Sequence, residues 1–282
     1  MAVMPAPPSP PRSHLRLALR VPEITAFFWI IKALSTAMGE STSDFLVHTI
    51  DPVVAVAGGF VAFCVALALQ FSMRRYMAWT YWLAVVMVGV FGTMAADVLH
   101  VKFGVPYAVS SVLYGVVLAA VFVAWDRTEW TLSIHTINTA RREAFYWAAV
   151  VSTFAMGTAV GDLTATTFHL GYFGSMALFA GIICIPAIGY RFFHWNAIFS
   201  FWFAYVVTRP LGASFADALG KPKSLGGLGI GDGKVTLILT GLIVILVAYL
   251  AKTRIDVQGD RRTVPAGRTV PAGRDPGPEI PR

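Results

Sequence analysis

The sequence predicts an all-α, polytopic membrane protein of eight transmembrane helices built from four parallel two-helix repeats. Three observations carry that reading. Of 282 residues, 56% are hydrophobic and only 13% charged, with mean hydropathy +0.66, whereas a soluble domain has roughly a quarter of its residues charged. Eight apolar runs, near 24–46, 53–72, 77–100, 107–125, 144–168, 172–192, 197–219 and 235–251, approach the ~20 residues that a bilayer-crossing helix needs. A single residue pattern recurs in register on the odd-numbered runs.

That pattern is Trp-x9-Gly-x4-Asp. It appears as Trp29–Gly39–Asp44, Trp82–Gly92–Asp97, Trp147–Gly157–Asp162 and Trp202–Gly212–Asp217. An aromatic precedes each tryptophan (Phe28, Tyr81, Tyr146, Phe201), and a small residue precedes each aspartate (Ser43, Ala96, Gly161, Ala216). Glycine with a small residue four positions on lets helix backbones approach closely in lipid. The residue after each glycine lies four before the aspartate and shares its helix face; these are Glu40, Thr93, Thr158 and Ala213. At 1.5 Å rise, tryptophan and aspartate stand ~22 Å apart along the helix, so they belong near opposite ends. The tryptophans therefore read as packing and interface anchors.

The repeats occupy 21–76, 77–140, 141–195 and 196–254, flanked by tails at 1–20 and 255–282 that are expected to be disordered and cytoplasmic. The Pro-rich start lacks an apolar core followed by a cleavage site and is not a signal peptide. The C-terminal tail duplicates Arg-Thr-Val-Pro-Ala-Gly between Arg262 and Arg274, low complexity that buries no core. With the N-terminus inside, 16 Lys and Arg fall on the cytoplasmic side and four outside, with Lys32 and Arg209 inside spans. The positive-inside rule then puts both termini in the cytoplasm, in a plasma membrane. The four odd helices run parallel, and the aspartates share one depth in the outer half. Val53–Leu69 and Val235–Leu250 are almost uniformly apolar, so even helices should form the lipid-facing layer around the odd ones.

Phe27-Phe-Trp-Ile-Ile-Lys32, the Gly-Glu-x-x-x-Asp at 39–44 and the Arg-Arg-Glu-x-Phe-Tyr-Trp at 141–147 resemble a family of bacterial inner-membrane proteins. That family has four tandem two-helix repeats, each with a characteristic tryptophan, and its function is unknown. The resemblance covers about 21–252 and implies a fold and a location. It supplies no catalytic residues. Thr208-Arg-Pro210 departs from the other copies and is expected to break the seventh helix.

Function must come from chemistry. Ionisable groups inside spans cost of order 3 kcal/mol each and mark functional sites by default; here they are Glu40, Asp44, Asp97, Asp162 and Asp217, with Lys32 and Arg209. Four parallel helices bring their aspartates together as an acidic ring of the kind that lines cation pathways. Thr93 and Thr158 share the acidic face, and Lys32 and Arg209 neutralise an empty site. His48, His100 and His169 trail the first three aspartates. Interfacial capping is their default role and metal ligation the alternative, because no tight ligand motif is present. The expected function is secondary transport or export of a small cation, a divalent metal such as manganese ahead of a proton or monovalent ion. A structural or regulatory membrane scaffold is the alternative.

Other classes fit less well. Most of the +7 net charge sits in loops and tails, which argues against a nucleic-acid partner and for the lipid bilayer. Cys64 and Cys184 lie in even runs and are expected to be inert buried thiols. Gly229-Ile-Gly-Asp232 matches a protease signature in letters only, since it precedes a span. Neither a phosphate-binding Walker loop nor a Gly-x-Ser-x-Gly elbow is present, so no enzyme activity and no resident cofactor are expected. Oligomeric state is left open.

Overall fold

A computed structural model describes residues 19–258; the predicted tails therefore lie almost wholly outside the described residues. Eight long helices follow in order: α1 (Ala26–Thr49), α2 (Pro52–Ser72), α3 (Ala78–Val101), α4 (Tyr107–Glu129), α5 (Ala140–Asp162), α6 (Gly171–Phe192), α7 (Ala197–Gly220) and α8 (Asp232–Thr253). Among the described residues there is no strand. Local chemistry sets several starts. Thr25, Asp51, Thr139 and Asn196 each accept a first-turn N–H through the side chain, satisfying donors that a helix leaves unpaired.

Six of the eight helices are long and apolar enough to cross a membrane, which makes this a multi-pass membrane protein. The two that fall short are α1 and α7. They carry Lys32, Glu40 and Asp44, and Arg209 and Asp217, on their buried faces.

The helices form two layers. The odd helices close a ring in the order α1, α3, α5, α7 and back to α1. Each even helix packs chiefly on the odd helix of the next repeat: α2 on α3, α4 on α5, α6 on α7, and α8 on α1. Partners within one repeat touch far less, so the unit is an interlocked pair rather than an isolated hairpin. Burial follows the layers. Odd helices bury broad faces, whereas α2 buries only Ala55, Ala66 and Gln70, and α8 buries the single stripe Val235, Leu239, Ile243, Val247, Leu250. The remaining even-helix surface exposes side chains such as Val53, Val61, Leu237 and Ile245, as a lipid-facing layer requires.

The repeated glycines explain how the ring closes. A Cβ on Gly39 would lie 2.8 Å from the carbonyl carbon of Gly89; one on Gly92 would lie 3.1 Å from Phe154 Cβ. On Gly157 it would lie 2.3 Å from Arg209 Cγ, and on Gly212 2.6 Å from Thr36 Cγ2. Gly89, Phe154, Arg209 and Thr36 each stand three residues before the glycine of their own helix. Every glycine therefore meets the same position of the next helix around, and the fourth meets the first. Small residues matter because backbone contact replaces hydrophobic drive in lipid.

Several expectations change. Thr208-Arg-Pro210 does not break α7, which is helical from Ala197 to Gly220; Pro210 packs against Gly157 and Gly161. In keeping with their helix-packing register, Trp82, Trp147 and Trp202 are buried in the aromatic core, and Trp202 donates to Leu132 O at 3.0 Å. Trp29 is partly buried against the same core. Cys64 and Cys184 are exposed, because they sit on the outward faces of α2 and α6. Residues 19–20 and 255–258, counted with the tails from sequence, are packed structure. Arg20 N donates to Ile137 O, Tyr76 N to Leu19 O, and Glu23 N to Asp256 O. This end, where both described termini meet, is called here the near face.

Candidate functional site

Four equivalent positions on the odd helices stack as layers along the ring axis. Nearest the termini are the aromatics Phe28, Tyr81, Tyr146 and Phe201, all buried, with Tyr81 and Tyr146 hydroxyls hydrogen-bonded to each other. Next come Lys32, Val85, Val150 and Tyr205, each fully or almost fully buried. The layer after the glycines is Glu40, Thr93, Thr158 and Ala213, buried throughout. The aspartate layer lies furthest from the near face.

Arg209 joins these layers. Its side chain is 0% exposed, and Nη2 donates to one residue from each other ring helix. The acceptors are Glu40 Oε2 at 2.6 Å, Thr158 Oγ1 at 2.7 Å and Thr93 Oγ1. Ala213, the fourth member of that layer, has no polar group, and Arg209 from one turn earlier fills the gap. The ion pair with Glu40 offsets two desolvated charges. Nε and Nη1 have no partner among the described residues.

Lys32 behaves differently from expectation. It forms no ion pair with an acid among the described residues. Its Nζ lies 3.3 Å from Thr36 Oγ1 and over the rings of Phe154 and Tyr205, 4.2 and 4.3 Å from their centroids. Cation–π contact of this kind is worth more when desolvated. Lys32 and Arg209 both face Phe154, so the axis below Glu40 is lined by basic and aromatic groups.

Above Arg209 the carboxylates converge. Glu40, Asp44 and Asp217 are buried, and one oxygen from each lies within 4.8 Å of the others. Asp97 and Asp162 are half-buried. Their charges interact with each other and with Glu40 and Asp44. No hydrogen bond or ion pair holds either carboxylate among the described residues. Asp162 stands where α5 gives way to a π-helical turn, Leu163–Thr167, a local irregularity often found at functional sites.

The histidines stay outside this group. His48 Nδ1 lies 2.7 Å from the backbone oxygen of Asp44. His100 Nδ1 lies 2.9 Å from Val105 O, with its ring stacked 3.7 Å from Tyr107. His169 is exposed, with φ 55°. None of the three belongs to the Glu40, Asp44 and Asp217 cluster, whose ligand atoms are all carboxylate oxygens.

Sequence reasoning missed Lys221. It follows α7 in what reads as an outer loop, yet its Nζ is 2.5 Å from Asp44 Oδ2 and 3.9 Å from Asp217 Oδ1. Burial alone would lower the ammonium's pKa, but Asp44 and Asp217 outweigh it and hold the group well above the ordinary lysine range. The signal was present: Lys221 follows Asp217 by four residues, as His48 follows Asp44. Asp232 was also missed. Its charge acts on both Asp44 and Lys221, and a Cβ on Gly220 would lie 2.0 Å from its Oδ1.

The loop between them is held tightly. Leu228, Ile230 and Gly231 donate backbone N–H groups to Ala218, Leu219 and Gly220, and Gly229 donates to Lys221. A Cβ on Gly227 would fall 2.1 Å from Lys221 O, so only glycine fits there. The glycine-rich stretch is thus a cap over the C-terminal carbonyls of α7.

At the near face a second ionic cluster ties loops together. Glu143 is fully buried, accepting from Arg20 Nη1 at 2.6 Å and Gln70 Nε2 at 2.9 Å. Glu129 accepts from Arg142 Nε at 2.7 Å and from Arg141. These contacts clamp α4 to α5 and the chain start to α5. The Arg-Arg-Glu sequence at 141–143 serves this clamp.

Comparison with known families identifies the repeats. The profile described as Repeat of Unknown Function (DUF347) matches residues 27–76, 80–131, 145–194 and 200–256, one stretch per repeat. No curated protein and no solved structure matches the chain.

Proposed function

This chain belongs to the DUF347 repeat family, and we propose that it is a secondary transporter of a small cation. In this reading all eight helices span a plasma membrane, and both termini are cytoplasmic. The near face then looks into the cell and the aspartate layer towards the outside. The cargo binds the carboxylates of Glu40, Asp44, Asp97, Asp162 and Asp217. The observation that carries the reading is the convergence of buried acids from helices of different repeats, Glu40 and Asp44 with Asp217, in a layer whose other members, Asp97 and Asp162, are half-buried and form no ion pair among the described residues.

The oxygen-only donor set favours Mn, Mg or Ca over Zn or Cu, which prefer imidazole or thiolate. Manganese remains the first candidate. Below the carboxylates, the Arg209 guanidinium, buried Lys32 and the aromatic layer form a close-packed floor that opposes cation passage. Transport therefore needs a second arrangement of the ring. Loss of two protons from the carboxylates as a divalent cation arrives would keep the buried charge constant, which couples the two movements.

A scaffold reading retains one supporting observation: Glu40 and Asp44 are already paired with Arg209 and Lys221. The test is the metal content and metal tolerance of cells with and without the protein, across Mn, Fe, Zn, Co, Ni and Mg. A shift for one metal that disappears in the Asp97→Asn, Asp162→Asn variant supports transport. Unchanged metal handling, with equal expression, would remove the metal reading.

A further inference from the structure

We propose that Lys221 is the resident cation of the carboxylate cluster: its ammonium fills the site until a small oxygen-seeking divalent cation displaces it. This rests on the transport reading and adds a built-in competitor to it.

Three features support the assignment. Lys221 reaches Asp44 on α1 and Asp217 on α7 at once, so it bridges the first and last helices of the ring at the side away from the near face. The third carboxylate of the group, Glu40, is met from beneath by the fully buried Arg209 guanidinium, whose Nε and Nη1 have no partner. The cluster is thus enclosed by fixed positive charge on one side and a flexible ammonium on the other. Arg209 is rigidly packed against Gly157 and cannot leave without moving α5. Lys221 has a free path: its side chain is 19% exposed and its neighbours Pro222 and Lys223 are exposed.

The backbone holds Lys221 where a swinging side chain can enter or leave. Lys221 N donates to Asp217 O and its carbonyl accepts from Gly229, so the Cα stays fixed while the four-carbon stem moves. The equivalent positions of the other copies, His48, Val101 and Thr166, carry no lysine. One tethered ammonium therefore serves the whole ring. An unloaded site with several close carboxylates and no counter-charge would be costly in lipid, and the lysine removes that cost without blocking a better ligand. A divalent ion carries twice the charge and coordinates several oxygens at once, whereas an ammonium offers only three directed donors.

The experiment uses the full-length wild-type protein in detergent, with MnCl2 as the probe. Lys221 is acylated by an amine-reactive ester and quantified by peptide mass spectrometry, with exposed Lys223 as the internal reference. Mn2+ binding is measured in parallel by calorimetry. The expected result is slow Lys221 labelling that accelerates severalfold on Mn2+ addition while Lys223 is unchanged. Lys221→Met should bind Mn2+ more tightly than wild type. Mn2+ binding without any change in Lys221 labelling, and unaltered or weaker affinity in Lys221→Met, would overturn the competitor and leave the transport site standing. Absence of binding for Mn2+, Mg2+ and Ca2+ in both proteins would overturn both.

Discussion

Gly157 on α5 lies so close to Arg209 on α7 that a Cβ added to it would stand 2.3 Å from the arginine Cγ and 2.6 Å from its Cβ. The glycine of the third repeat therefore sets the position of the guanidinium that links all four ring helices. Gly157→Ala should destabilise the protein by about 1–3 kcal/mol, the usual cost of overpacking, and displace Arg209 from Glu40. Gly58→Ala, where nothing lies within 4 Å, should be neutral or slightly stabilising because alanine favours helix. Thermal unfolding in detergent distinguishes them. Equal effects of the two substitutions would contradict the ring packing.

The Arg209–Glu40 pair makes a sharper prediction. Arg209→Met alone leaves a buried carboxylate uncompensated and should cost about 3–5 kcal/mol. Adding Glu40→Gln removes that charge and should recover most of the loss. A double-mutant cycle measures the coupling. Additive effects would show that the guanidinium does not neutralise Glu40.

Asp97 and Asp162 test function separately from stability. Neither carboxylate makes a hydrogen bond or ion pair among the described residues, and both are half-buried. Asp97→Asn and Asp162→Asn should therefore leave folding and membrane level close to wild type. Size-exclusion profiles and expression levels check this. A large loss of folded protein would assign the two acids a structural role.

The near-face clasp predicts a pH dependence. Asp256 is buried, and burial raises its carboxyl above the ordinary value of 3.8, while the Tyr76 hydroxyl bond acts in the opposite direction. A group with a raised folded pKa contributes stability below its unfolded value and loses it as pH rises through the folded value. Wild type should therefore lose stability relative to Asp256→Asn as pH climbs from below 3.8 through the raised value. Unfolding temperatures of both proteins across that range give the difference. Tyr76→Phe should cost about 1–3 kcal/mol at neutral pH by leaving the carboxylate without its donor.

Much of the fold was legible because duplication repeats the same physical solution. Gly39, Gly92, Gly157 and Gly212 occupy one register, and the aspartates five residues later follow on the same helices. What escaped was information between repeats. Nothing in the run Pro52–Ser72 states that α2 packs on α3 more than on α1, since an almost uniformly apolar helix has no face that names its partner. Lys221 escaped because a position just beyond a helix reads as solvated loop, and only the fold of residues 222–231 turns it inward. Lys32 and Arg209 read alike as counter-charges to the acids, but only Arg209 reaches Glu40, because its place three residues before Gly212 sets it against Gly157, inside the ring. The tryptophans read as packing and interface anchors, but their partners could not be read from sequence. Each packs on the aromatic of the preceding repeat around the ring: Trp82 on Phe28, Trp147 on Tyr81, Trp202 on Tyr146 and Trp29 on Phe201.

In the proposed function a small cation crosses the membrane through the carboxylate layer. The most direct measurement is Mn2+ flux into proteoliposomes containing purified protein, under an imposed pH gradient. Wild type should carry Mn2+, and the Asp97→Asn, Asp162→Asn variant, reconstituted to the same density, should not. Equal flux in both, or none in wild type for Mn2+, Mg2+, Ca2+, Na+ or K+, would contradict the account.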